Sequence, residues 1–266
     1  MVGPVTARLG RFEPLADEDV RALERALANR RTYRARTHIV REGETSGSYL
    51  AILSGWAGRH KALRNGSRQI TGFMLPGDMC HINAAVGAPL DHDVVAIGEV
   101  TAALILRSEI ERLSDAHPAL GRAFQWSNIA GETLLRSAVV GLGRRDARER
   151  LGHLLCELWA RADAVGLVRD GRLMFEPIQS DLADRLGLTS VHVNRTLGVL
   201  REQGLAELVG RYLVLPDFDQ LARASGVEDA FLRAITGFVA TSAGKGAAVG
   251  RSDARGTPAT GADART

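Results

Sequence analysis

The sequence predicts an α+β chain in three parts: an N-terminal β-barrel, a long helix, and a C-terminal pair of short helices closed by a β-hairpin. Three observations predict it. Short β-forming runs recur between glycine-bearing turns from Thr32 to about Arg107. A helical stretch follows, from near Ser108 to about Leu142, broken at His117-Pro118. Finally, SDLADRLGLTSVHVNRTLGVLREQG (180–204) has the spacing of two helices around a tight turn, and a hairpin signal follows it directly.

The elements follow in order. Ala16 to Asn29 reads as a helix, with acidic residues early and Arg30-Arg31 at its end, as the helix dipole prefers. Strands are expected at His38–Arg41, Tyr49–Leu53, Arg68–Phe73, Val94–Ile97 and Ala102–Leu106, with turns at Gly43, Gly47, Asn65-Gly66, Pro76-Gly77 and Gly87. Asn-Gly between strands is a strong hairpin signal, and many short strands with regular turns suggest a barrel or sandwich. The long helix carries Leu120, Phe124, Leu134, Ala138 and Leu142, with small Ser127 and Gly131 on a similar face. That face suits close packing on a partner helix, so we expect a homodimer. Gly141 and Gly143 should interrupt the helix and act as a hinge. A further helix, Asp146–Ala162, points Leu151, Leu154, Leu155 and Leu158 at a core. Leu173–Glu176 reads as a strand, and Pro177 leads into the helix pair. We place the barrel at 15–115, the long helix and hinge at 116–143 and the C-terminal unit at 144–225. The small, polar, aperiodic segment 239–266 is expected to be a disordered tail.

Ala183, Gly187 and Val193 stand at helix-turn-helix spacing: a small residue for close packing, a glycine for the turn, an apolar residue for the core between the helices. Thr189 should cap the second helix and Gly204 should stop it. Val193, Leu197 and Leu200 form one apolar stripe. The opposite side carries Val191, Arg195 and Gly198, with Asn194 on its flank. Arginine can give two parallel hydrogen bonds to guanine, asparagine suits adenine, and valine can touch a thymine methyl. Ser190 and His192 lie at the helix start, where phosphate is favoured. Leu205–Leu208 and Tyr212–Leu215, split by Gly210-Arg211, form the hairpin, with Arg211 at its tip. A winged helix-turn-helix of this kind implies double-stranded DNA as partner.

Composition agrees with a soluble regulator. Of 266 residues, 45 % are apolar and 24 % charged, which describes a globular chain of one or two domains. The formal net charge is only +3, so the global balance adds little for DNA and local clustering must decide. Cys80 and Cys156 are too few for a disulfide scaffold or a four-cysteine cluster. No apolar run reaches membrane-spanning length and the first residues lack a signal-peptide core, so we expect no membrane partner and a cytoplasmic location. No Gly-rich phosphate loop, HExxH helix or G-x-S-x-G elbow is present, which argues against an enzyme.

The order of parts resembles the Crp/Fnr family of bacterial transcription regulators over about 15–225. REGE (41–44), LSGWAGRHKAL (53–63), RQITGFMLPGD (68–78), RRDARERLGHLL (144–155) and DLADRLGLTSVHVNRTLGVLREQGL (181–205) carry the resemblance. It implies a cyclic-nucleotide-binding-like jelly-roll, or double-stranded β-helix, as the barrel. It also implies guanine as the target of Arg195. Where many members carry a base-reading glutamate, this chain has Val191, so its operator should depart there. The family's Gly-Glu and Arg-Ser ligand pairs fall at His81-Ile82 and near His92-Asp93. An aspartate repels a phosphate, and a neutral histidine does not attract it, so cyclic AMP and cyclic GMP should not bind. The first 79 residues hold no cysteine, which argues against an oxygen-sensing cluster. Cys80, His81, Asp91, His92 and Asp93 form a candidate effector pocket. Zinc or haem there matches no defined spacing, so no metal or other cofactor is expected. His60, His117 and His153 are read as surface or helix-flank residues, and no basic group is seen beside Cys80 to lower its pKa. RNA polymerase is a further partner only if the chain is an activator. Two alternatives stay open: a sensor using a cyclic nucleotide through a remodelled pocket, and a scaffold that binds no DNA.

Overall fold

The structure is a computed structural model describing residues 3–45, 47–80 and 88–237. The expected tail at 239–266 lies outside the described residues. Among those described, the helices are α1 Pro4–Phe12, α2 Asp17–Ala26, α3 Arg107–Ala116, α4 Pro118–Arg144, α5 Ala147–Asp163, α6 Gln179–Leu186, α7 Ser190–Glu202, α8 Phe218–Ala224 and α9 Asp229–Thr236. The strands are β1 Arg30–Tyr33, β2 His38–Val40, β3 Ser48–Ser54, β4 Ala57–Ala62, β5 Arg68–Met74, β6 Met79–Cys80, β7 Asp93–Ala96, β8 Val100–Leu106, β9 Val168–Arg169, β10 Arg172–Met174, β11 Glu207–Val209 and β12 Tyr212–Val214.

Two antiparallel four-stranded sheets, β1-β8-β3-β6 and β2-β7-β4-β5, make the jelly-roll. Leu50, Ile52, Met74, Val94, Val100 and Ala102 fill it. Along β3 the side chains alternate between two buried faces, Leu50 and Ile52 filling the barrel and Tyr49 and Ala51 packing on the helices. On β4 the His60 ring lies over Gly58, where a Cβ would come within 2.6 Å of Nε2. A third sheet, β11-β12-β10-β9, is the wing. Its β9–β10 turn, Asp170-Gly171, has positive φ at both residues, which an Asp-Gly pair tolerates.

The long helix departs from expectation. It runs unbroken through Gly141 and Gly143 to Arg144, and the break comes at Arg145, whose ψ of 144° is extended. Glycine only weakens a helix, whereas Asp146 starts a new one: its carboxylate accepts from Glu149 N at 2.8 Å, and Asp146 N donates back to Glu149 at 3.2 Å. The expected partner face is turned inward as far as Leu134, while Leu142 at its end stays 40 % exposed. Leu120 and Phe124 are buried against the barrel side, and Ser127, Gly131 and Leu134 face Arg59, Thr71 and Phe73 across a cavity. The face left in solvent carries Ile129, Leu135, Val139 and Val140.

Barrel and winged unit share a core. Trp56, Ile70, Phe73 and Leu75 pack with Leu151, Leu155, Leu173, Phe175 and Leu182, and the Trp56 and Phe175 rings meet edge-on at 5.5 Å. At one rim Asp78 binds Arg161 of α5 and lies 3.8 Å from Arg8 of α1. At the other, Arg36 donates to both oxygens of fully buried Asp181, at 2.7 and 3.0 Å. Arg68 pairs with Asp184, and Gln69 donates to the Arg185 carbonyl at 3.1 Å. These contacts pin α6 to β5.

Two histidines read as surface residues are in fact buried: His60 and His153 are each 5 % exposed. Burial first, and then nearby arginines (Arg68 for His60, Arg145 and Arg185 for His153), push both down to about 4. The third, His117, is half-buried and bonds Asp19 at 2.8 Å. A lowered histidine takes up its proton later in the folded state than in the unfolded one, so stability is lost as pH falls from about 6.5 towards about 4. Melting temperatures across this window should fall in the native protein and fall less in His153→Gln. Identical pH profiles for the two would remove His153 from this account.

Candidate nucleic-acid interface

The helix pair forms as its residues require. Gly187 ends α6 at φ +62°, a left-handed position that glycine accepts without strain. Ala183 and Val193 are buried between the helices, and Leu200 completes the stripe. Thr189 caps α7, its hydroxyl accepting from His192 N at 3.2 Å. Gly204, at φ +67°, follows the end of α7.

The other side of α7 faces solvent. Ser190, Val191, His192, Asn194 and Arg195 are exposed and Gly198 is half-exposed; Val191 reaches 72 %. Docking on the barrel engages α6 and leaves α7 open. Asn194 donates to Gln179 at 3.3 Å, which orients its amide. Arg211 is exposed at the tip of the β11–β12 turn beside Gly210, whose φ is +61°. The exposed side of α7 thus carries the side chains expected to meet base edges, and Arg211 is exposed separately at the hairpin tip.

The expected effector pocket is brought together only in part. Cys80 Sγ lies 3.6 Å from His92 Nε2, and His92 Nδ1 lies 2.7 Å from Asp91. Asp93 belongs elsewhere: as the first residue of β7 it accepts from Glu42 N at 2.8 Å and lies 3.5 Å from His38 of the paired strand β2. His81 lies outside the described residues. The expectation that nothing basic adjoins Cys80 is corrected. Burial alone would raise its thiol, but Arg59 and His92 outweigh burial and hold it below the ordinary thiol range. His92 is raised, first by its bond to Cys80 and also by Asp91, against burial. Arg59 escaped the sequence reading because an arginine in a strand gives no sign of which face it takes. Among the described residues, no three His, Cys, Asp or Glu side chains are grouped to hold a metal ion. No helix among them is long and apolar enough to cross a membrane.

Comparison with known proteins agrees with this geometry. Residues 149–224 match the Crp-like helix-turn-helix domain and residues 30–117 the cyclic nucleotide-binding domain. The chain is 30 % identical to the transcriptional activatory protein AadR of Rhodopseudomonas palustris over 202 residues, covering 74 % of this chain and 83 % of that one. It is 31 % identical to the nitrogen fixation regulation protein FixK of Bradyrhizobium diazoefficiens, covering 63 % and 70 %. The structure of FixK2 from Bradyrhizobium japonicum superposes with a TM-score of 0.65 at 27 % identity, covering 73 % of this chain and 95 % of that one. Barrel, long helix and open recognition helix, together with these likenesses, place the chain in the Crp/Fnr family as a DNA-binding transcription regulator.

Proposed function

We propose that two copies pair through α4 and set their α7 helices into successive major grooves of a near-palindromic operator, about 34 Å apart. The observation that carries this reading is the exposed face of α7, with Arg195 and Val191 opposite the buried Val193–Leu200 stripe. In the proposed complex Arg195 reads guanine, Asn194 adenine and Val191 a thymine methyl, while Thr189, Ser190, His192 and Arg211 hold phosphates. Gly198 lets the backbone approach the groove wall. The protein acts by binding, catalyses no reaction, needs no cofactor and works in the cytoplasm. RNA polymerase joins the partners if the bound site is activating.

Selection of bound fragments from genomic DNA tests the core of this. An enriched inverted repeat with half-sites about one helical turn apart is expected, unchanged by cyclic AMP or cyclic GMP. The absence of any enriched motif would favour a protein-binding scaffold, and a motif appearing only with a cyclic nucleotide would restore the nucleotide sensor.

The pairing surface is the solvent face of α4, with Ile129, Val139 and Val140, rather than the inward Ser127–Gly131 face, and Leu135 borders both. Val139, 70 % exposed, is its most open member. Val139→Asp should sediment as a monomer at micromolar concentration, where the native chain is a dimer. An unchanged sedimentation coefficient would move the interface elsewhere.

A further inference from the structure

Three arginines crowd the break between the long helix and the winged unit. Arg145 is the junction residue, Arg150 lies at the start of α5, and Arg185 is near the end of α6. With Ser137, His153 and Glu157 they line one small cavity. Glu157 is the only carboxylate among the described lining residues. It is held by Arg161 at 2.8 Å and reaches Arg185 only at 3.9 Å. Arg185 is 5 % exposed, and its Nε is buried without a hydrogen-bond partner. Arg150 Nε is buried and unpartnered too, while its other two nitrogens donate to the Leu186 and Arg145 carbonyls at 2.6 and 3.0 Å. Arg145 donates to the Ser137 carbonyl at 3.3 Å.

His153 reports the local field. Burial, then Arg145 and Arg185, keep it neutral at pH 7, so it adds no further positive charge. Three guanidiniums thus line the cavity with one carboxylate, which pairs with Arg185 alone of the three, while Glu149 and Glu228 act on Arg145 from outside it; two buried N–H donors are unpaired. Buried donors of charged groups are costly when unpaired, and arginine forks match the geometry of carboxylate and phosphate oxygens.

We propose that this cavity binds one small oxyanion, a phosphate or carboxylate group, held between Arg150 and Arg185 beside Arg145. The free space, about 20 Å³, takes about one water-sized group, so a single oxygen of the anion enters it and the rest of the group lies at its mouth. The site is separate from the Cys80–His92 pocket in the barrel. Its three arginines come from the junction, α5 and α6, so a bound group ties the end of the long helix to the reading unit.

The test is the melting temperature of the full chain at pH 7 as sodium phosphate or sodium acetate is raised, with ionic strength held by sodium chloride. A saturable rise is expected with at least one of the two, and which anion gives it identifies the chemistry. Arg185→Met should lose that rise, with half-saturation moved at least tenfold. It should also melt higher than the native chain without either anion, because a buried and loosely paired charge is gone. If Arg185→Met fails to fold, Arg150→Met serves for the same comparison of rises. No saturable rise in the native chain, or an equal rise in the variant, overturns the proposal.

Discussion

Asp78→Asn should lower stability by about 3–5 kcal/mol, the cost of leaving buried charge without its partner. The Asp78 carboxylate binds Arg161, lies 3.8 Å from Arg8 and accepts from Leu75 N at 2.7 Å. Both arginine side chains are almost entirely buried, so neither can turn to water when the negative charge is removed. Glu157, 2.8 Å from Arg161, would then be the nearest compensation for both. At about 2–4 °C per kcal/mol for a chain of this size, the melting temperature should fall by roughly 10 °C. Burial pushes the Asp78 carboxyl up, but Arg161 and Arg8 outweigh it and hold it below the usual range. Its contribution is therefore complete above the unfolded value of about 3.9 and is lost as pH falls below it. Denaturation from pH 7 to pH 3 should show this acid limb in the native protein and a flatter one in the variant. The histidine window lies higher, so the two losses can be separated. A variant within 1 kcal/mol of native stability would show that the pair contributes little.

Arg195→Ala should weaken operator binding by about 1–3 kcal/mol, roughly 5- to 150-fold, with no change in folding. Arg195 is exposed on α7 and makes no ion pair with any described residue, so truncation leaves nothing buried and unsatisfied. The loss should concentrate at one guanine in each half-site, and the selected motif should become degenerate there. A uniform loss over all sequences would instead mark Arg195 as a phosphate contact. Competition binding on operators changed at single base pairs distinguishes the two. Unchanged affinity with unchanged preference would defeat the assignment.

Where a local pattern determined structure, the sequence was legible. The α7 stripe, the Thr189 cap, the Gly187 turn and the Gly210-Arg211 hairpin are short-range rules, and each is seen in the structure. Most barrel strands were readable from their turns. Asp170-Gly171 carried an equally good hairpin signal that went unread, and with it went β9. What stayed hidden depends on distant partners. Nothing near Arg36, Arg68 or Asp181 says that they will meet across 113 or 145 residues. The same holds for the long helix: Leu120 and Phe124 announce an apolar face, but only the fold decides whether barrel or second copy covers it. Gly141 and Gly143 misled because glycine permits a break without requiring one, whereas Asp146 with its reciprocal Glu149 bond creates one.

The first helix also waits on the last. Arg8 donates to the Ile235 carbonyl at 2.6 Å, and Arg11 to the Thr236 carbonyl at 3.0 Å, across separations of 227 and 225 residues. The opening turn of α1 is held by Glu24, which accepts from Gly3 N at 3.1 Å and from the Thr6 hydroxyl at 2.7 Å, but Arg8 and Arg11 find their carbonyls only once α9 has emerged, and such distant closures slow folding. Translation must reach almost the end of the described chain before these two arginines are satisfied.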